Sequence, residues 1–144
     1  MLVEENKAIV RRWFEEYNKG KIAAIAVTDE LCAPDVVYHG GGEDIHGLEN
    51  LKQVYDNWFN SVPDRYLTIE DMIAEENKVV VRYTLTGTHK GEWRGIHPTN
   101  KKVTYWGIEI LRIAGGKIAE RWPRADALGL MQQLGVVPTS KKKE

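Results

Sequence analysis

Two carboxylates near the carboxyl-terminal end of the sequence are the strongest candidates for acid–base chemistry. Glu109 lies inside the apolar, strand-like segment 104–112, and Asp126 lies where the last such segment meets a short apolar helical one. A carboxylate within an apolar strand is costly unless it is paired, hydrogen-bonded or facing a polar cavity. Carboxylates placed in this way commonly transfer protons. We therefore expect both acids to lie near a pocket.

Each acid also has a purely structural interpretation. Asp126 precedes a helical segment and could accept hydrogen bonds from its first free amide groups, a role that can coexist with acid–base work. Glu109 could form an ion pair with Arg82 or Arg112. An enclosed cavity with both acids pointing inward favours catalysis, whereas acids that only cap helices or pair with arginines favour a binding protein.

Other side chains could complete such a site. His39 ends a short strand before three glycines and is a candidate proton relay near neutral pH, or an ordinary strand-end histidine. Trp122 shares a strand face with Glu120 and suits the rim of a pocket for a flat ligand, or the core. The candidate substrate-binding residues are Trp13, Tyr17, Trp58, Arg82, Tyr105 and Trp122.

The motifs and the composition exclude several classes of function. The four histidines show no metal-ligand spacing, and no phosphate-binding glycine loop or nucleophile elbow is present, so no metal site is predicted. With 20 basic and 21 acidic residues, nothing indicates a nucleic-acid surface. No stretch approaches the ~20 apolar residues of a membrane span. Cys32 is the only cysteine and fits a reducing compartment, so we expect a soluble cytoplasmic protein.

The elements that must position these residues follow from hydrophobic periodicity. Helices are predicted first and strands later, which indicates an α+β domain at residues 1–138 with a charged tail at 139–144. The predicted helices are 4–19, 21–31, 48–59 and 125–134, and the predicted strands are 36–39, 66–75, 78–88, 103–113 and 117–122.

The strand at 103–113 is apolar on both faces. Trp106, Ile108 and Ile110 alternate with Tyr105 and Glu109. A sheet covered by helices on one side should have one wetter face. The second apolar face therefore predicts a homodimer that forms through the outer face of the sheet, although scattered surface aromatic residues are also common.

The sequence resembles the SnoaL-like polyketide (ester) cyclase family over about residues 6–135. The resemblance is carried by NKAIVRRWFEEYNKG, APDVVYHGGG, LTGTHKGEWRGIHPTNKKVTYWGIEILRIAGGKIAERW and ADALGLMQQLG. It implies an NTF2-like α+β cone with N-terminal helices on a curved, mostly antiparallel sheet, a deep pocket, dimers, and no metal or organic cofactor. Characterised cyclases of the family close a ring by intramolecular aldol condensation, with an aspartate that matches Asp126 as the acid/base.

The resemblance implies cofactor-independent acid–base chemistry on a small apolar or aromatic carbonyl compound. The expected catalytic residues are Asp126, Glu109 and His39, and His39, Arg82 or a protonated Glu109 could stabilise an enolate. The family's cyclases carry a cavity histidine on the late strands, where this chain has Arg112, Arg121 and Arg124. The alternatives are a non-catalytic small-molecule-binding module and an enzyme that resembles ketosteroid isomerases or limonene-type epoxide hydrolases.

Overall fold

The computed structural model describes residues 2–139, so the predicted tail lies outside the described residues except for Thr139. In this part of the chain, four helices accompany one mostly antiparallel six-stranded sheet, which confirms the α+β class. The helices are α1 (Leu2–Tyr17), α2 (Lys21–Leu31), α3 (Leu48–Ser61) and α4 (Ala127–Leu134). The strands are β1 (Cys32–Tyr38), β2 (Ile45–His46), β3 (Tyr66–Glu75), β4 (Lys78–Thr88), β5 (Lys102–Ala114) and β6 (Lys117–Ala125).

The six strands form one open sheet in the order β2-β1-β6-β5-β4-β3. All neighbours are antiparallel except β1 and β6, which run parallel. Register shifts interrupt the pairing of β3 with β4 and of β5 with β6. Bulges of this kind bend a strand and increase its twist. The sheet therefore curves, and its inner face can enclose a cavity.

The core lies between the inner face of the sheet and the first three helices. Val10, Trp13, Phe14 and Tyr17 are buried along α1 at intervals of three and four residues, which is the spacing of one helix face. The Trp13 indole N–H donates a hydrogen bond to Thr28 Oγ1 of α2 at 3.1 Å. The aromatic side chains of α1 therefore form the layer on which α2 and the sheet pack.

The main differences from the sequence-based expectation concern β1, β6 and β2. β1 begins at Cys32, directly after α2. The strand can contain Pro34 because its pairing with β6 is interrupted between Cys32 and Val37. β6 continues to Ala125, which pairs with Gly107. The two-residue strand β2 was not predicted, since it is too short to show periodicity.

The two faces of β5 differ in burial. Glu109 and Leu111 are buried on the inner face, whereas Trp106, Ile108 and Ile110 are 51%, 39% and 36% exposed on the outer face. The predicted division of this strand into two faces is confirmed. Within residues 2–139, no helix combines the length and the apolar character that crossing a membrane requires.

Candidate active site

A cavity of about 650 Å³ lies between the inner face of the sheet and helices α1 and α3. Nine of its lining side chains are aromatic, which gives it flat, largely apolar walls. Trp13, Tyr17, Trp58 and Tyr105 all line it, as expected from the sequence. Walls of this kind suit a flat, carbon-rich ligand with a few fixed polar contacts.

Glu109 and Arg121 form a buried ion pair in the wall of the cavity. Glu109 is 5% exposed and Arg121 is 1% exposed. Arg121 donates from Nε to Glu109 Oε2 and from Nη2 to Glu109 Oε1, the second bond measuring 2.9 Å. Burial is the largest single influence on the pKa of Arg121 and lowers it, but the charge and hydrogen bonds of Glu109, with contributions from Tyr55 and Cys32, together raise this pKa well above its usual value.

The partner of Glu109 is therefore Arg121, and neither Arg82 nor Arg112. A bulge in β6 explains why the strand alternation did not reveal this. Ile118 and Arg121 are both buried although they lie three positions apart, because the register shifts opposite Arg112 and Ile113. The Arg121 guanidinium also lies 3.9 Å from the centre of the Trp13 ring, so that it packs on an aromatic face as well as on a carboxylate.

Asp126 is the N-cap of α4 at one edge of the cavity. Its Oδ1 accepts a hydrogen bond of 2.9 Å from the Gly129 amide, and its own amide donates to the Trp106 carbonyl at 2.9 Å. Ala125 and Ala127 line the cavity on either side, whereas Asp126 itself is not among the lining residues. The capping interpretation is thus confirmed, and the acid–base role of Asp126 stays a prediction.

His39, Trp122 and Arg82 lie on the outer face of the sheet, and their expected contribution to the cavity is corrected. The His39 ring stacks on Trp122 with centres 5.2 Å apart and planes 12° apart. Trp122 pairs with Ile110, and Arg82 pairs with Ile108, both on the exposed side of β5. Arg82 binds Asp71 there at 2.7 Å.

His39 also belongs to a charged cluster on that outer face. Its Nε2 lies 2.6 Å from Glu120 Oε2 and its Nδ1 lies 2.9 Å from Asp44 Oδ1. Arg112 donates to the other Glu120 oxygen at 3.0 Å. The hydrogen bond with Glu120 raises the pKa of His39, and the same bond lowers the pKa of Glu120.

Arg65 is a cavity residue that sequence reasoning missed. It is 8% exposed, and its guanidinium lies 5.2 Å from the Trp58 ring centre and 5.9 Å from that of Tyr17. Its Nη1 donates to the Trp58 carbonyl at 3.4 Å. A single arginine between a helix and a strand resembles any surface residue, so no sequence signal distinguishes it.

The remaining reactive groups do not add to the site. Cys32 is buried, and burial raises the pKa of its thiol to about 11. Among residues 2–139, no group of three or more His, Cys, Asp or Glu side chains is arranged to hold a metal ion. The polar groups of the cavity are thus tyrosine hydroxyls, arginines and one glutamate.

Comparison with known proteins places this geometry in a family. A family model described as SnoaL-like polyketide cyclase matches residues 7–134. Aklanonic acid methyl ester cyclase DauD of Streptomyces sp. (strain C5) is 31% identical over 133 residues, covering 88% of this chain and 80% of the relative. Aklanonic acid methyl ester cyclase DnrD of Streptomyces peucetius is also 31% identical and covers 88% of both chains.

Solved structures share the same architecture. AclR from Streptomyces galilaeus, a proposed hydroxylase, is 26% identical and superposes with a TM-score of 0.85, covering 97% of this chain and 87% of AclR. IdmH from Streptomyces antibioticus, a proposed polyketide cyclase, is 26% identical with a TM-score of 0.78, covering 91% of this chain and 99% of IdmH. The similarity therefore extends over nearly the whole fold.

Proposed function

Because the chain belongs to the SnoaL-like polyketide cyclase family, we propose that it closes a ring in a small polyketide-type carbonyl compound by intramolecular aldol chemistry. The observation that carries the proposal is the aromatic-walled cavity of about 650 Å³ between the sheet and the helices. A cavity of this size can hold a flat, conjugated substrate with its two reacting carbons near each other. Positioning of that kind supplies a large part of the rate enhancement.

We assign the proton transfers to Asp126. Its carboxylate removes a proton from a carbon next to a carbonyl, and the resulting enolate carbon forms a bond with a second carbonyl carbon. The electron pair of that second carbonyl moves to its oxygen, which then takes the proton back from Asp126. Atoms and electrons balance within the substrate. Asp126 lies at the edge of the cavity and matches the acid/base aspartate of the family that the sequence resembles, and both facts support this assignment.

A second candidate is a binding protein without catalytic activity. Two contacts favour it: Glu109 is held by Arg121, and Asp126 is held by the Gly129 amide. Acids engaged in this way are less available for proton transfer. The two candidates predict different outcomes for a bound polyketide, since only the enzyme changes the covalent structure of its ligand.

The test is turnover of an aromatic polyketide, supplied both as the free acid and as the methyl ester, by wild type and by two Asp126 variants. Asp126→Asn keeps an oxygen that can accept the capping hydrogen bond but removes the base, whereas Asp126→Ala removes both. We expect both variants to lose about 100-fold or more in kcat, with only Asp126→Ala losing stability. Full turnover by Asp126→Asn would exclude this residue as the base, and binding without turnover by wild type would favour the second candidate.

The outer face of the sheet supports two further parts of the proposal. Trp106, Ile108 and Ile110 form an exposed apolar row on β5, and we propose that a second copy of the chain covers it in a homodimer. We also propose a cytoplasmic location, in line with a single buried and unpaired cysteine, Cys32.

A further inference from the structure

We propose that the ligand of the cavity carries a carboxylate, and that Arg65 binds this group with the help of Arg121. The inference deepens the proposed function, because it names the chemical class of the ligand at the same site. A protein that prefers a carboxylate at this place differs in ligand preference from one that binds the corresponding ester. The charge of the cavity, its hydrogen-bond capacity and the packing of the two guanidiniums all favour such a ligand.

Positively charged side chains outnumber negatively charged ones in the lining of the cavity. Four of the charged lining residues are arginines, and the only acid among them is Glu109; the arginines are Arg65, Arg94, Arg121 and Arg124. The charge of Glu109 is already matched by Arg121. The wall therefore presents a surplus of positive charge to any ligand, although its surface is mostly aromatic.

Arg65 is the buried member of that surplus. Within residues 2–139, no carboxylate lies within 4.0 Å of its guanidinium, whereas Arg121 has Glu109. A buried cation without a counter-charge is costly, and its contacts with the faces of Tyr17 and Trp58 offset only part of that cost. An anionic ligand group would supply the missing charge.

The hydrogen-bond capacity of the cavity points to the same ligand chemistry. Four buried polar atoms on cavity-lining residues have no hydrogen-bond partner among the described residues: Tyr17 Oη, Tyr55 Oη, Arg65 Nε and Arg121 Nη1. The guanidinium nitrogens can only donate, and each hydroxyl can donate as well. A ligand oxygen that only accepts, as a carboxylate oxygen does, can take hydrogen bonds from both guanidiniums and from both hydroxyls.

The two guanidiniums flank one aromatic stack. Trp13 and Tyr17 stack with ring centres 4.7 Å apart, Arg121 lies over Trp13, and Arg65 lies over Tyr17. A flat ligand can pack against these rings while its carboxylate meets the guanidinium fork. Because Glu109 already uses two donors of Arg121, Arg65 has the larger free capacity and is the residue that determines specificity.

The experiment measures binding rather than turnover, so that it fails or succeeds independently of the proposed reaction. The probes are anthraquinone-2-carboxylate, its methyl ester and its carboxamide, with binding followed by quenching of tryptophan fluorescence. We expect wild type to bind the carboxylate about tenfold or more tightly than either neutral probe. Equal or weaker binding of the carboxylate, or no binding of it, would overturn the proposal.

A set of arginine variants locates the effect. Arg65→Gln should lose about tenfold in affinity for the carboxylate and none for the methyl ester, and Arg65→Lys should recover part of the loss. The matched control is Arg11→Gln, which removes the same charge from the exposed face of α1 and should change neither affinity. Equal losses for both probes in Arg65→Gln would show a structural role instead. If Arg65→Gln does not fold, the preference of wild type among the three probes decides the matter.

Discussion

Gly129 leaves room for the carboxylate of Asp126. Its amide donates to Asp126 Oδ1 at 2.9 Å, and a Cβ added at Gly129 would overlap Asp126 Oδ2. The residue at this position of α4 therefore determines where the proposed base can lie. This relationship explains a glycine in the first turn of a helix, where the backbone alone gives no reason for one.

Gly129→Ala should separate stability from activity. Alanine favours the helix by about 1 kcal/mol, but it displaces the Asp126 carboxylate and weakens a cap worth about 1 kcal/mol. We expect the free energy of unfolding to change little, whereas turnover falls about as far as in Asp126→Asn. Urea denaturation and steady-state kinetics on the same preparation check this. Wild-type kcat in Gly129→Ala would show that the carboxylate position is unimportant.

Removing the charge of Glu109 should destabilise the fold strongly. Glu109→Gln leaves Arg121 buried without its counter-charge, and such a change typically costs about 3–5 kcal/mol. The double variant Glu109→Gln/Arg121→Met removes the unpaired cation and should recover much of the loss. The free energies of unfolding of wild type, Glu109→Gln, Arg121→Met and the double variant measure the coupling. A single variant as stable as wild type would show that the pair contributes no net stability.

The cluster around His39 predicts a pH dependence of stability. Because its pKa is raised, His39 contributes stability that is fully present below its ordinary value of 6.5 and is lost as pH rises through the folded value. Glu120 has a lowered pKa, so its contribution is present above 4.5 and is lost as pH falls. Between these limits both contributions are present.

His39→Gln should therefore flatten the upper side of that profile. We expect wild type to lose stability relative to the variant by less than about 1 kcal/mol between pH 6 and 9, since the pair is partly solvated. Thermal denaturation across this range gives the comparison. If the stability of wild type relative to His39→Gln increased with rising pH, the direction of the His39 pKa shift would be wrong.

The exposed row on β5 predicts the oligomeric state. Ile108→Lys places a charge in the middle of this row, next to Trp106 and Ile110. We expect wild type to sediment as a dimer and the variant as a monomer, because a buried charge in an apolar interface is costly. Ile22→Lys makes the same substitution at an isoleucine that is 86% exposed on α2, away from the sheet, and should remain dimeric. A monomeric wild type would refute the dimer.

Regular periodicity accounts for the parts of the fold that were predicted well. β3 and β4 have the bounds expected from their alternation, and α2 begins and ends where its apolar spacing and Gly20 indicate. The inner position of Glu109 also follows from alternation along β5. β2 and the carboxyl-terminal end of β6 form because they pair with other strands. The local sequence pattern carries no information about that pairing.

The site was predicted less completely, and the reasons are specific. The bulge in β6 turns Arg121 inward, against simple alternation, and places Trp122 outside. Arg65 is buried by aromatic rings from two helices. The residues next to it in sequence do not indicate this tertiary environment. The aromatic residues of α1 were found because the face of a long helix is visible in sequence.

The pairing of β1 with β6 has a consequence for how the protein is made. The His39 amide donates to the Arg121 carbonyl at 2.8 Å. The segment that contains β1 therefore cannot complete its pairing until β6 is available. Contacts this distant in sequence form late, because a long loop must close first. On the ribosome, the chain therefore cannot complete its cavity until β6 has emerged, and a nascent chain shorter than this has no site to offer a ligand.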